Sequence, residues 1–159
     1  MRSSVTILAG ITAAIFMTSV AGATDLYVET ISAPINQVAP ELARALAAHH
    51  FKVVMHLDIL KRIEAKEMQL HIPHLNKGQF TDVQAFVFCN PMFFSQLLNS
   101  DWKSASLCPL NLTVYGKGMS TTIVYPERIA YVQKTPANRT AQRIDSAVIA
   151  ALKSIPKAN

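Results

Sequence analysis

Glycine is scarce in this chain, with five residues in 159, and the five are scattered. That argues against a phosphate-cradling loop or a dinucleotide fingerprint, both of which need clustered glycines so that backbone N–H groups can approach an anion. There is no Gly-x-Ser-x-Gly elbow and no His-Glu-x-x-His helix, so two widespread hydrolase arrangements are absent. Cysteine is rarer still, with only Cys89 and Cys108. They form no Cys-x-x-Cys pair, which leaves no zinc pattern, and no Cys-x-x-Cys-His, which excludes covalently attached c-type haem. Basic residues outnumber acidic ones, 15 to 10, but they are spread out: Lys61, Arg62 and Lys66 in one stretch, Arg139 and Arg143 in another. No basic run interleaves with aromatics, so a nucleic-acid platform is unsupported. Asp58, Glu64 and Glu67 lie near one another, yet on a charged helix they read as solvated face. The balance is against an enzyme.

What is present begins with a targeting signal. Arg2 gives a short positive start, Val5 to Val20 is apolar and small, and Ala21-Gly22-Ala23 offers a small-x-small cleavage pattern. Residues 1–23 therefore read as a secretory signal peptide, with an uncleaved anchor helix as the other reading. Residues 24–159 read as one domain of periplasmic or secreted location. No apolar stretch beyond the signal is long enough to span a bilayer.

The stretch Val83 to Tyr115 organises the rest. Val83 to Phe88 has the length of a strand buried on both faces. Asn90 is placed to cap a helix whose first position is Pro91, where a missing N–H costs nothing. Leu110, Leu112 and Val114 alternate with Asn111, Thr113 and Tyr115, as in a strand with two unlike faces. Before this stretch, Leu26–Ile31 predicts a strand, and Ile35, Val38, Leu42, Ala45 and Leu46 predict a helix with Pro40 either in its first turn or kinking it. Phe51 to Leu57 is a second strand, with Phe51, Val53, Met55 and Leu57 on one face and Lys52, Val54 and His56 on the other. A short helix, Ile59 to Lys66, and an irregular segment, Met68 to Asp82, follow. After the central stretch, Gly116-Lys117-Gly118 predicts a tight hairpin into Thr121–Tyr125. Ile144, Val148, Ala151, Leu152 and Ile155 form the stripe of a last helix.

Five strands and two substantial helices predict an α+β fold, a two-layer, mainly antiparallel sheet with helices on one face. The other face is expected to carry Val54, His56, one of the Phe86/Phe88 or Val83/Ala85/Val87 sets, and Asn111, Thr113 and Tyr115. That surface is too apolar for bare solvent and too polar for a closed core, so a second subunit or a ligand should cover it.

The Cys89-Asn90-Pro91 turn, the helix ending near Asp101, Cys108-Pro109 and the Val114-Tyr115 strand end resemble the bacterial family catalogued as domain of unknown function 302. Tyr27-Val28-Glu29-Thr30, Phe51-Lys52-Val53 and Asp58 fit its opening in order, and the likeness runs from about Tyr27 to Val132. It implies a TATA-binding-protein-like fold and a homodimer, and members that hold haem non-covalently at the dimer interface. The family's commoner Pro-Cys order would put a thiol at position 110, which here is Leu110, so a cysteine role carries over poorly. The Gly usual before Phe51 is replaced by His50.

Three readings of Cys89 and Cys108 stand together. A disulfide would close a loop of 18 intervening residues, worth about 3 kcal/mol by chain entropy. A reactive thiol is favoured by Cys89's place before a helix N-terminus. Two small buried hydrophobes are the third reading. Among the histidines, His56 is the candidate iron ligand, with Thr113 and Tyr115 lining the same face, and His71 and His74 form a weaker metal pair. A partly buried His56 hydrogen-bonded across the sheet is the alternative. The functional expectation is an exported binding or accessory protein, with haem as its candidate ligand. The alternatives are a cofactor-free interaction homodimer and a thiol redox accessory protein.

Overall fold

The computed structural model of the chain describes residues 25–157, so the expected signal segment lies outside the described residues. One five-stranded sheet runs in the order β1-β5-β4-β3-β2, with β1 at Leu26–Ile31, β2 at Lys52–Asp58, β3 at Asp82–Cys89, β4 at Leu110–Lys117 and β5 at Ser120–Pro126. Every neighbouring pair is antiparallel. The β4–β5 hairpin turns at Gly118-Met119, one step later than expected. Gly118 takes φ +59 there, while Gly116 stays in the strand and lets Ile35 pack close, where a Cβ would stand 3.1 Å from its Cγ2.

Three helices cover one face. They are α1 (Ile35–Ala48), α3 (Pro91–Ser100) and α5 (Asn138–Lys153), the last preceded by the one-turn α4 (Ile129–Val132). Leu42 and Leu46 from α1, Leu97 from α3, and Ile144, Val148 and Leu152 from α5 meet Phe88, Leu110, Leu112, Val114 and Ile123 in one core. The expected stripe of the last helix is buried throughout. Asn90 caps α3 as expected, its Oδ1 accepting from Met92 N at 2.9 Å and Phe93 N at 3.3 Å. Helix α1 starts at Ile35 and runs through Pro40. It ends in a Schellman pattern: Phe51 N donates to Leu46 O and His50 N to Ala47 O, with His50 at φ +64. His50 thus occupies the left-handed position that glycine fills most easily.

Two features depart from the expected layout. The first is α2 (Ile59–Leu70), which packs on the opposite face of the sheet. Its Leu60 and the strand residue Val83 are both buried, outside the main core. The second is a bulge in β2 between Val53 and Met55. A bulge adds one unpaired residue, so every side chain beyond it changes face. Val53 pairs with Phe88 on the helix side; beyond the bulge Met55 pairs with Val87, His56 with Phe86 and Leu57 with Ala85. His56 therefore lies on the helix side, and Met55 and Leu57 on the other. The alternation expected for β2 holds only as far as Val53.

Candidate functional site

The face away from α1, α3 and α5 can be read off the register. One row crosses all five strands: Val28, Val124, Thr113, Ala85 and Leu57. A second row holds Thr30, Thr122, Tyr115 and Val83. The Val83/Ala85/Val87 set is thus the one on this face, with Asn111, Thr113 and Tyr115 as expected. Met55 and Val28 stand half exposed.

Helix α2 and residues 75–80 roof one end of this face and leave a groove of ≈ 420 Å³. Its walls are Ile59, Leu60 and Ile63 on one side and Val83, Ala85 and Thr113 on the other. Tyr115 and Phe80 meet at its edge with ring centroids 5.1 Å apart, and Lys77 adds a positive group. Asn76 stabilises the roof by exchanging hydrogen bonds with the backbone of Phe80 in both directions. Asp58 starts α2 by accepting from Lys61 N at 3.1 Å. Concave, mostly apolar walls with a few hydroxyls and one cation are the ordinary chemistry of a small-molecule site.

Of the expected ligand residues, Thr113 and Tyr115 line this groove and His56 does not. His56 stacks on Phe86 at 4.2 Å, and its Nε2 is 2.8 Å from Gln84 Oε1; Gln84 in turn donates to Asp82 at 2.6 Å. It sits in a shallow recess beside Asn36, Ala39 and Pro40 of α1. The hydrogen bond to the neighbouring strand matches the alternative reading of His56, but the residue is exposed and not partly buried. His71 ends α2 at φ +54, and His74 follows at φ +67; both are exposed. Among the described residues no cluster of three His, Cys, Asp or Glu side chains is arranged to hold a metal.

Cys89 ends β3 and Cys108 precedes Pro109 and β4, which places the two thiols side by side. Both are free and partly buried. Burial, then the neighbouring Cys89, pushes the Cys108 thiol up to about 11.

A polar cluster not foreseen from the sequence occupies the turn after β5. Asp145, buried on α5, accepts from the Tyr125 hydroxyl, Arg128 N and Ile129 N, each at 2.8 Å. Burial, then the charge of Asp145, drives the Tyr125 hydroxyl well above its ordinary value. Arg128 is itself buried; it donates to Pro126 O at 2.9 Å and to Asn111 Oδ1 at 2.7 Å. An aspartate within the apolar stripe of α5 was the available signal, since a carboxylate there must find donors.

The model of the family described as "Domain of unknown function DUF302" matches residues 27–155. A solved structure, the uncharacterized conserved protein DUF302 from Bacillus stearothermophilus, is similar with a TM-score of 0.70 and 22% identity. The match covers 84% of this chain and 100% of that one. That degree of identity speaks to the fold. No curated protein matches the chain.

Proposed function

The chain belongs to the family described as domain of unknown function DUF302, and from that premise we propose that it is a non-enzymatic binding protein whose ligand occupies the groove between α2 and the sheet. The observation that carries this is the groove itself, apolar on both walls with Thr113, Tyr115 and Lys77 as its polar groups. A small, largely apolar molecule with one acidic or hydrogen-bonding group suits it. In this reading residues 1–23 direct export and the domain works in the periplasm or outside the cell.

Haem ligated by imidazole does not suit this groove. No histidine or methionine lines it, and His56 is on the other face with Nε2 beside Gln84. The test is a pair of titrations of residues 24–159, one with haemin and one with an anionic naphthalene fluorophore. The fluorophore should saturate at one per chain, with affinity falling about tenfold in Thr113→Val/Tyr115→Phe and unchanged in His56→Ala. A Soret shift abolished by His56→Ala would overturn the assignment and put the ligand on the helix side.

A second reading concerns the part of the open face that α2 leaves uncovered. Leu26, Val28 and Met55 stay about half exposed there. We propose that a second copy closes it, as the family resemblance implies. Sedimentation of wild type against Val28→Lys decides the matter: a dimer that the variant splits supports it, and a wild-type monomer at micromolar concentration sinks it.

A catalytic thiol has less support. At Cys108 burial, then the neighbouring Cys89, pushes the thiol up to about 11, away from the nucleophilic thiolate, so that reading rests on Cys89 alone, ahead of α3. In an oxidising compartment the adjacent pair would instead serve as a structural disulfide. Intact mass before and after reduction would show a 2 Da difference in exported protein, and two free thiols would remove this reading.

A further inference from the structure

Arg128 is 5% exposed, yet it takes part in none of the ion pairs among the described residues. Its two terminal nitrogens donate to neutral oxygens, of Pro126 and Asn111, and its Nε has no protein partner. Asp145, the carboxylate in the same corner, is already committed to Tyr125, Arg128 N and Ile129 N. The guanidinium lies 5.6 Å from the centre of the Tyr125 ring, but no oxyanion meets the fork itself, whose geometry matches carboxylates and phosphates. Arg128 also lines a recess of ≈ 190 Å³ with Ser106, Leu107, Pro109, Asn111 and Tyr131. Two hydroxyl side chains, Ser106 and Tyr131, stand at its exposed rim. This volume equals that of about six water molecules, enough for a phosphate, a sulfate or one carboxylate group and too small for a nucleotide.

We propose that this recess is a binding site for a small oxyanion or for the carboxylate of a small organic acid. Arg128 supplies the charge and Tyr131 a hydroxyl donor at the mouth, while the Ser106 hydroxyl, which donates to Lys103 O at 2.8 Å, would turn to the anion on binding. The recess lies at the other end of β4 from the α2 groove, so the two sites stand or fall separately. It also borders Cys108, whose neighbours Leu107 and Pro109 form part of its wall.

The experiment is thermal unfolding and calorimetric titration with sodium phosphate, sodium sulfate and sodium acetate, against sodium chloride at matched ionic strength. A saturable rise in melting temperature above the chloride control is expected. Phosphate or sulfate alone would identify a free oxyanion, and acetate alone the headgroup of an organic acid. Arg128→Gln should weaken the response at least tenfold. Because that variant removes a buried group and its folding is not assured, Ser106→Glu supplies the second arm. It offers a carboxylate from the rim, and should raise the melting temperature in anion-free buffer while abolishing the response to added anion. No response beyond chloride, or a response that persists unchanged in Ser106→Glu, would overturn the site.

Discussion

The two faces of the sheet are made from the same five strands and differ in how completely they are closed. On the helix side Phe88, Leu110, Leu112, Val114, Ile123 and Tyr125 are essentially inaccessible, and the buried Asp145 has three donors. On the other side Val28, Val124, Thr113, Ala85 and Leu57 cross the sheet in one row, and α2 covers only one end of it. The first face accounts for folding. The second is apolar beyond what folding within one chain uses, and the proposed recognition role rests on that surplus.

The largest expected effect comes from cutting one aliphatic side chain on each face back to alanine. Leu112→Ala removes a fully buried residue and should cost about 3–4 kcal/mol, read as a lower urea midpoint at unchanged slope. Val124→Ala, half-buried on the open face, should cost under about 1 kcal/mol. If its cost instead matches that of Leu112→Ala and the midpoint depends on protein concentration, the open face is a subunit seam.

Asp145→Ala tests whether the polar corner is as closed as the core around it. It would strand the Tyr125 hydroxyl and two backbone N–H groups, at a cost of about 2–3 kcal/mol in the same denaturation experiment. A loss below about 1 kcal/mol would mean that solvent reaches the corner and that the helix side is less sealed than its burial indicates.

His50→Gly should act in the opposite direction. With His50 at φ +64, relief of the left-handed penalty outweighs the added freedom of the unfolded chain and stabilises by roughly 1 kcal/mol. A melting temperature unchanged or lowered would show that the imidazole makes up for its backbone.

The smallest effect is on pH dependence. The Tyr27 hydroxyl donates to Glu29 at 2.5 Å, and Lys157 pairs with the same carboxylate at 2.9 Å. The Tyr27 bond, then Lys157, holds the Glu29 carboxyl below its ordinary value; that contribution is present above the unfolded value and lost as pH falls through the folded one. Burial, then Glu29, pushes Tyr27 up to about 12. Its contribution is therefore complete below the ordinary tyrosine value and lost as pH rises toward 12. Tyr27→Phe should flatten the alkaline limb of stability and weaken the acid limb, and identical profiles would contradict this.

Much of the fold was legible because local chemistry and burial agreed. Asn90 and Pro91 announced α3, the alternation of β4 placed Thr113 and Tyr115 correctly, and the α5 stripe held to Ile155. The site was only half legible. Strict alternation assigned His56 to the open face, and a single bulged residue in β2 moved it away; nothing in Lys52-Val53-Val54-Met55 announces that insertion. The position of α2 was hidden for a related reason. Its apolar residues fit either face of a sheet, and the packing of Leu60 near Val83 is settled by chain reversal through residues 71–81, which carry no periodic signal. Arg128 had no local signature, since its burial depends on Asn111 and Asp145 arriving from distant strands and helices.

Ala85→Trp is the most direct test of a separate recognition face, because it fills the groove floor without touching the core. The fluorophore affinity and the melting temperature of the variant should be measured on the same sample. The account predicts at least a tenfold loss of affinity with the melting temperature within a few degrees of wild type. Unchanged affinity, with or without a change in stability, would contradict it.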